Sequence, residues 1–290
     1  MRRTITWPDG KLICATLTVA FEAFTRGGHF KKKSDLKVNL ASVSHANYGG
    51  NVGIWRIMEV CERTGVGATI DINGLAVQRW PEAVKALHDA GHEIAGHGTT
   101  NDIVMTDLTA EQQRNEIREC NRLIKEVIGS QPVGWVGPGG LHTPDTLGIL
   151  AEEGYLWCGD QCDDDLPYVV KANGKPITII PKHWYFNDWR AWGGGQSNGE
   201  VAFQGFRAAF DFVYEEALRG RPGRIDALVH AELGGRPYMA YAFEKMIRYV
   251  KQFEEVVWFT HRRDIAEYCL ANSKNPLDYR PLGDYSDRQD

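Results

Sequence analysis

The chain has 290 residues, 43% of them hydrophobic and 24% charged, with a formal net charge of -5. This composition supports a buried core under a polar surface, and without a basic field (Lys31 to Lys33 is too short a run) nucleic acid is excluded as a partner class. No stretch approaches the roughly 18 to 20 consecutive apolar residues that span a bilayer, and MRRTITWPDG lacks the apolar segment of a signal peptide, so no membrane association and a cytoplasmic location are expected.

Apolar runs of strand length alternate with stretches of helical period. ICATLTVAF, Ile13 to Phe21, has the apolar density of a buried central strand. A glycine- and lysine-bearing loop about Lys31 to Asn51 follows. VGIWRIMEVCERTG then sets Ile54, Ile57, Met58 and Cys61 at helical spacing and stops at Gly65. The alternation repeats: ATIDING and WPEAVKALHDAG, HEIAGHG and LTAEQQRNEIRECNRLIKEVIG, VGWVGP and TPDTLGILAEEG. Thr109 with Glu111 and Gln112 starts one helix, Gly129 stops it, and Pro81 and Gly91 bound another. Next come YLWCGD, a polar excursion containing DDDLPY, the strand ITIIP and the loop HWYFNDWRAWGGGQSNG. A helix from about Ala202 to Leu218, the strand IDALVH, a helix from Tyr238 to Phe253, the strand VVWFTHR and the helix DIAEYCLAN complete the series.

Regular strand-helix alternation with right-handed crossovers predicts a parallel sheet, and this many units favours one α/β barrel over two domains. The expected organisation is a single domain over 1–272 and an extended arm over 273–290, placed to pack on a neighbouring subunit. A doubly wound open sheet is the alternative, but no Gly-x-Gly-x-x-Gly follows the first strand. The six cysteines read as reduced, mostly packed thiols, and the spacing of Cys158 and Cys162 does not suit a zinc clip.

In a parallel barrel the loops after the strands form the active face. Glu22 ends an apolar strand, where an ionised carboxylate needs a partner or a role. His97 and His230 occupy the same position on later strands, and a Gly-Gly-Arg-Pro turn follows His230. A buried histidine bonded to backbone is the plain alternative for either. Asp71 alternates with Ile70 and Ile72 and so points away from them, as a substrate contact or a hydrogen-bonded core carboxylate. Asp163 to Asp165 fit a turn cap as well as a substrate contact. The run Trp184, Tyr185, Trp189 and Trp192 beside glycines is a packed loop or a lid, with His183 placed to reach a substrate. His92 and Glu93 read as structural.

Taken together, GHEIAGHG after a WPEAVKALHDAG helix, PVGWVGPGG, DDLPY and a late LVHAELGGRP resemble the polysaccharide deacetylase superfamily, from about Trp7 to Ala271 and in its motif order. YGGNVGIWRIMEV, DDLPY and GRP are similar to its cytoplasmic branch, which includes cofactor-independent allantoinase, cyclic imide hydrolases and a peptidoglycan deacetylase homologue. The resemblance implies a distorted (β/α) barrel of about seven parallel strands, hydrolysis of a non-peptide carbon-nitrogen bond, and a homotetramer.

Metal-dependent members carry two carboxylates near the end of the first strand, a base and a metal ligand, and two histidines four residues apart. Here Ala20 stands at the base position, Glu22 matches the ligand carboxylate, and Asn101 replaces the second histidine. Catalytic zinc takes three protein ligands from His and carboxylate and keeps an open water position. Glu22 and His97 supply two, so no tightly bound cofactor is expected, and zinc on Glu22 and His97 is the alternative. The resemblance makes His230 an acid. Without a metal, the expected catalytic residues are Glu22 as base, His97 to orient water or substrate, and His230 to protonate the leaving nitrogen. Asp71, Asn101, Pro138, Asp164 and Arg236 are expected to bind substrate, with the glycine amides after Gly137 receiving carbonyl oxygens. The expected activity is hydrolysis of a small amide, cyclic imide or ureide. The alternatives are metal-dependent deacetylation of an N- or O-acetylated sugar, and a non-catalytic small-molecule-binding protein on the same fold.

Overall fold

The structure, a computed structural model, describes residues 3–25, 40–183, 186–189 and 198–281. Among the described residues ten strands form one mixed sheet: β1 (Ile13–Phe21), β2 (Thr69–Ile72), β3 (Glu93–Gly96), β4 (Gly134–Trp135), β5 (Trp157–Cys158), β6 (Tyr168–Ala172), β7 (Lys175–Ile179), β8 (Gly223–His230), β9 (Val257–Phe259) and β10 (Leu277–Asp278). Their order is β10-β6-β7-β5-β4-β3-β2-β1-β8, with β9 beside the first half of β1. All pairs are parallel except the β6–β7 hairpin. This is the expected mostly parallel, barrel-like α/β fold. Among the described residues the sheet does not close, and past β8 there is an isolated bridge from Leu228 to Asn187.

The two-residue period of β1 sorts its side chains onto two faces. Ile13, Ala15, Leu17, Val19 and Phe21 join the main core with Ile57, Val84, Phe210, Phe243 and other apolar residues of the surrounding helices. The opposite, inner face carries Thr16, Thr18, Ala20 and then Glu22. Strand register extends that face sideways: Asp226 stands beside Thr16, His230 beside Ala20, Asp71 beside Ala20, and Ala95 beside Asp71. The inner face thus mixes buried polar groups with a small apolar cluster, and Glu22, His97 and His230 stand at the strand ends. The helix Arg262–Asn272 closes the other end, where Arg262 N donates to Thr69 Oγ1 and Arg263 N to Glu93 Oε2.

Helix ends follow the local chemistry. Thr109 and Gln112 form the reciprocal cap of Ala110–Ile128, and Gly129 ends it in the left-handed conformation. Four elements differ from expectation. Leu40–Tyr48 is a helix inside the stretch read as a loop. Only Ser42 and Ala46 of it are buried, so it has no apolar stripe to recognise. Gly74–Arg79 is a short helix capped by the Asn73 side chain. The polar excursion contains β6, joined to β7 by Asn173-Gly174, both at positive φ as a tight hairpin turn demands. The long helix after the aromatic loop starts at Gly199, where Asn198 caps it, three residues before the expected start.

Residues 277–278 of the expected arm pair with Val170 and Lys171 of the same chain, and residues 282–290 lie outside the described residues. His29, Lys31 to Lys33, Trp184, Tyr185 and Trp192 also lie outside them. Five cysteines are buried and Cys162 is exposed. No helix of the described residues is long and apolar enough to cross a membrane.

Candidate active site

Glu22 follows the last residue of β1 and is 4% exposed. The chain end that carries it is pinned by Asn73, whose Oδ1 accepts from Ala23 N at 3.2 Å while its Nδ2 donates to Ala23 O at 3.0 Å. His97 follows β3 in the same way. Gly98, at φ 72°, turns the chain back so that Asn101 returns to the histidine. Glu116 holds this turn by accepting from both Thr99 N and Thr99 Oγ1 at 2.6 Å.

The three side chains close a triangle. His97 Nε2 stands 3.1 Å from Glu22 Oε1 and 3.0 Å from Asn101 Oδ1, and Asn101 Nδ2 donates to Glu22 Oε2 at 2.8 Å. His97 Nδ1 donates to Val136 O at 2.5 Å. Every partner of the ring is therefore an acceptor, which favours a proton on each nitrogen. Burial opposes the charged ring, but the hydrogen bond and charge of Glu22 outweigh it and raise the His97 pKa above its ordinary value.

His230, at the end of β8, is held by Asp188. Its backbone N donates to Asp188 Oδ2 at 2.8 Å and its Nδ1 to Asp188 Oδ1 at 2.6 Å. The Asp188 carboxylate is fully buried. Burial again opposes the charged imidazole, and the Asp188 charge and hydrogen bond overcome it, with Glu22 adding to the rise. Register brings the two halves together, since His230 pairs with Ala20 and Glu22 lies two residues beyond Ala20, just past the end of β1.

Asp188 was not among the sequence candidates. It lies in an aromatic loop away from any strand end, and only the bridge beside β8 brings it to His230. Asn73, flanked by Ile72 and Gly74, is a second residue that sequence reasoning left without a role. Its position just before a helix was the signal for a capping role.

The other candidates are distributed as follows. Pro138 is buried in the turn after β4, where the neighbouring Gly137 N donates to Asp160 Oδ1 at 2.7 Å and Gly140 N to Gly137 O at 2.8 Å. Of the glycine amides after Gly137, expected to receive substrate carbonyl oxygens, that of Gly140 is engaged within the protein. Asp71 is 2% exposed in the layer beneath the triangle, with Oδ2 3.8 Å from Arg262 Nη1. Burial raises its pKa to about 6 against the opposing Arg262 charge. Its position is that of a core carboxylate and not of an open substrate contact. Asp164 is likewise committed elsewhere, to Arg3 at 2.7 Å and to the Leu166 amide at 3.1 Å, so it caps its own turn. Arg236 stacks on Tyr48 near the turn after His230. His183 is not placed to reach a substrate: its Nε2 contacts Asp165 O, and burial pushes its pKa down to about 3.

The resemblance raises the question of zinc. The triangle offers one carboxylate, one imidazole and one amide oxygen, and the third strand-end group, His230, is bound to Asp188. Among the described residues no group of three or more His, Cys, Asp or Glu is placed to hold a metal ion. These donors do not fit a catalytic zinc site, which takes three His or carboxylate ligands.

Comparison with known proteins agrees with this architecture. A family model described as polysaccharide deacetylase matches residues 47–157. A crystal structure of a probable polysaccharide deacetylase from Pseudomonas aeruginosa PAO1 superimposes with a TM-score of 0.83 at 31% identity, covering 92% of this chain and 93% of that one. The crystal structure of Puue allantoinase gives a TM-score of 0.81 at 30% identity over 92% and 93% of the two chains. The peptidoglycan deacetylase of Helicobacter pylori is 24% identical over 80% of this chain and 89% of its own.

Proposed function

Because the chain belongs to the polysaccharide deacetylase family and is a hydrolase of carbon-nitrogen bonds other than peptide bonds, we propose that its substrate is a small cyclic imide or ureide. The observation that carries this reading is the closed triangle of Glu22, His97 and Asn101 opposite the Asp188-supported His230. That arrangement supplies acid and base from the side chains themselves. Glu22 takes a proton from water, whose oxygen attacks the ring carbonyl carbon. The oxyanion collapses, the carbon-nitrogen bond breaks, and His230 delivers a proton to the departing nitrogen. His97 and Asn101 hold Glu22 in place and orient the water. An imide or ureide nitrogen leaves more easily than the nitrogen of an unstrained acetamide, so it matches a site that works by positioned proton transfer.

The similarity to the peptidoglycan deacetylase of Helicobacter pylori favours a second reading, metal-dependent deacetylation of an N-acetylated or O-acetylated sugar. One panel separates the two. Purified protein is assayed against cyclic imides, ureides and acetylated sugars with and without chelator, alongside elemental analysis. Turnover of an imide or ureide that survives chelation supports the first reading. Turnover of acetylated sugar that is lost on chelation and restored by zinc replaces it with the second. The homotetramer is proposed with the same family reading, and light scattering of the purified chain tests it.

A further inference from the structure

The turn that leads out of His230 is built against the segment that carries Tyr48 and Arg56. A Cβ on Gly53 would stand 1.9 Å from Ala231 O, and one on Gly235 would stand 2.2 Å from Gly53 Cα. The two backbones therefore touch where neither residue has a side chain, and whatever surrounds that contact keeps a fixed relation to His230.

Around it two guanidinium groups meet one aromatic ring. The guanidinium carbon of Arg236 lies 3.6 Å from the centre of the Tyr48 ring, and Arg236 Nε donates to Glu232 O at 3.2 Å. Arg56 Nη1 donates to Tyr48 Oη at 2.7 Å and also to Gly235 O. Both arginines are half-buried. No ion pair joins either one to a carboxylate among the described residues, in a chain of net charge -5 where Arg63, Arg114, Arg118, Arg122 and Arg248 all have such partners. Tyr238 reports the same neighbourhood: burial and the Asp188 charge raise its hydroxyl pKa while the Arg236 charge lowers it. The guanidinium and the Asp188–His230 pair thus share one electrostatic corner.

Two half-buried cations about one ring, neither of them ion-paired to a carboxylate among the described residues, suit a ligand that supplies a negative charge. We propose that Arg236 and Arg56, bracketing Tyr48, form a subsite for a carboxylate substituent on the substrate. Stacking and the Nε bond fix the plane of the Arg236 fork, and its terminal nitrogens match the two oxygens of a carboxylate, which a mobile lysine does not. The substrate class narrows to ring amides that carry an acidic side group. This inference rests on the hydrolase reading of the same site.

The test uses hydantoin and hydantoin-5-acetic acid, a ureide ring without and with the carboxylate. Binding is measured by calorimetry on Glu22→Gln, which keeps the site but lacks the base, and turnover is measured on the native protein. Glu22→Gln is expected to bind the acid at least about ten-fold more tightly than hydantoin, as charge-assisted bonds to a guanidinium imply. Adding Arg236→Gln is expected to remove that difference, and Arg236→Lys, the substitution least disruptive to folding, to restore part of it. Equal binding of the two compounds, no binding of either at millimolar concentration, or a preference that survives Arg236→Gln overturns the subsite. If the native protein hydrolyses neither compound while the preference for the acid persists, the imide-or-ureide substrate reading falls and the subsite stands.

Discussion

Glu22 has both oxygens engaged, one by His97 and one by Asn101, so its role depends on its negative charge more than on its shape. Glu22→Gln preserves the shape and removes the base. Its turnover of the best ureide or imide is expected to fall at least about 100-fold while circular dichroism still reports a folded chain. Full activity would take Glu22 out of the mechanism. His230 depends on Asp188 in a different way. Its pKa is raised above 6.5, so the proton is retained as pH climbs past the ordinary value and is lost only through the higher folded value. Asp188→Asn removes the charge that sustains this shift. The alkaline limb of the kcat/KM profile is then expected to move to lower pH, with kcat reduced about 10-fold or more. A profile that keeps its alkaline limb would show that Asp188 only packs the loop. Glu22, His97 and His230 were legible in the sequence because each stands at the end of a strand. Asp188 was not, because its partner lies 42 residues away and local pattern carries no trace of it.

Among the secondary elements, the helix bounded by Thr109 and Gly129 was readable from its ends, since cap chemistry is local. The helix Leu40–Tyr48 was not, because a helix that buries only Ser42 and Ala46 lays down no apolar period. The β6–β7 hairpin did carry a signal: Asn-Gly between two short strands is a strong local mark of a two-residue turn. The element with most consequence for the site is the close contact between Gly53 and the turn after His230. In Gly53→Ala the added methyl meets a backbone oxygen, which cannot rotate away. The substitution is expected to cost about 1–3 kcal/mol in urea unfolding and to lower activity by displacing the His230 turn. An unchanged midpoint would mean that this contact opens without penalty.

At the scale of the whole molecule, the inner face of the sheet sets buried polar groups among a small apolar cluster that includes Cys14, Ala95, Val136 and Trp157. Beneath the site, Asp226 accepts from Thr16 and Thr18 at 2.7 and 2.8 Å and pairs with Arg262 at 2.9 Å, all of them 2% exposed or less. Burial pushes the Asp226 pKa up, but Arg262, Arg224 and the two threonine hydroxyls outweigh it and the net shift is downward. The stability contributed by Asp226 is therefore present above its ordinary value of 3.8 and lost as pH falls through the lowered folded value. Asp226→Ala leaves Arg262 and Arg224 short of a buried counter-charge. It is expected to destabilise the fold by about 3–5 kcal/mol at neutral pH, with a smaller loss in acid, as urea titrations at two pH values would show. A loss independent of pH would assign the effect to packing.

The sequence by itself determined the alternation of strand and helix, the parallel sheet, the family resemblance and the strand-end positions of Glu22, His97 and His230. Each of these is written in local periodicity, in cap residues or in contiguous motifs. Tertiary structure alone decided which groups meet. Asp188 reaches His230 through a bridge beside β8, and Glu116 and Asn73 fix the ends of neighbouring segments. Asp71 and Asp164, equally acidic in sequence, are drawn away by Arg262 and Arg3. The physical reason is range. Backbone propensity acts over a few residues, whereas a buried charge finds its partner wherever strand register and helix packing bring one within hydrogen-bonding distance.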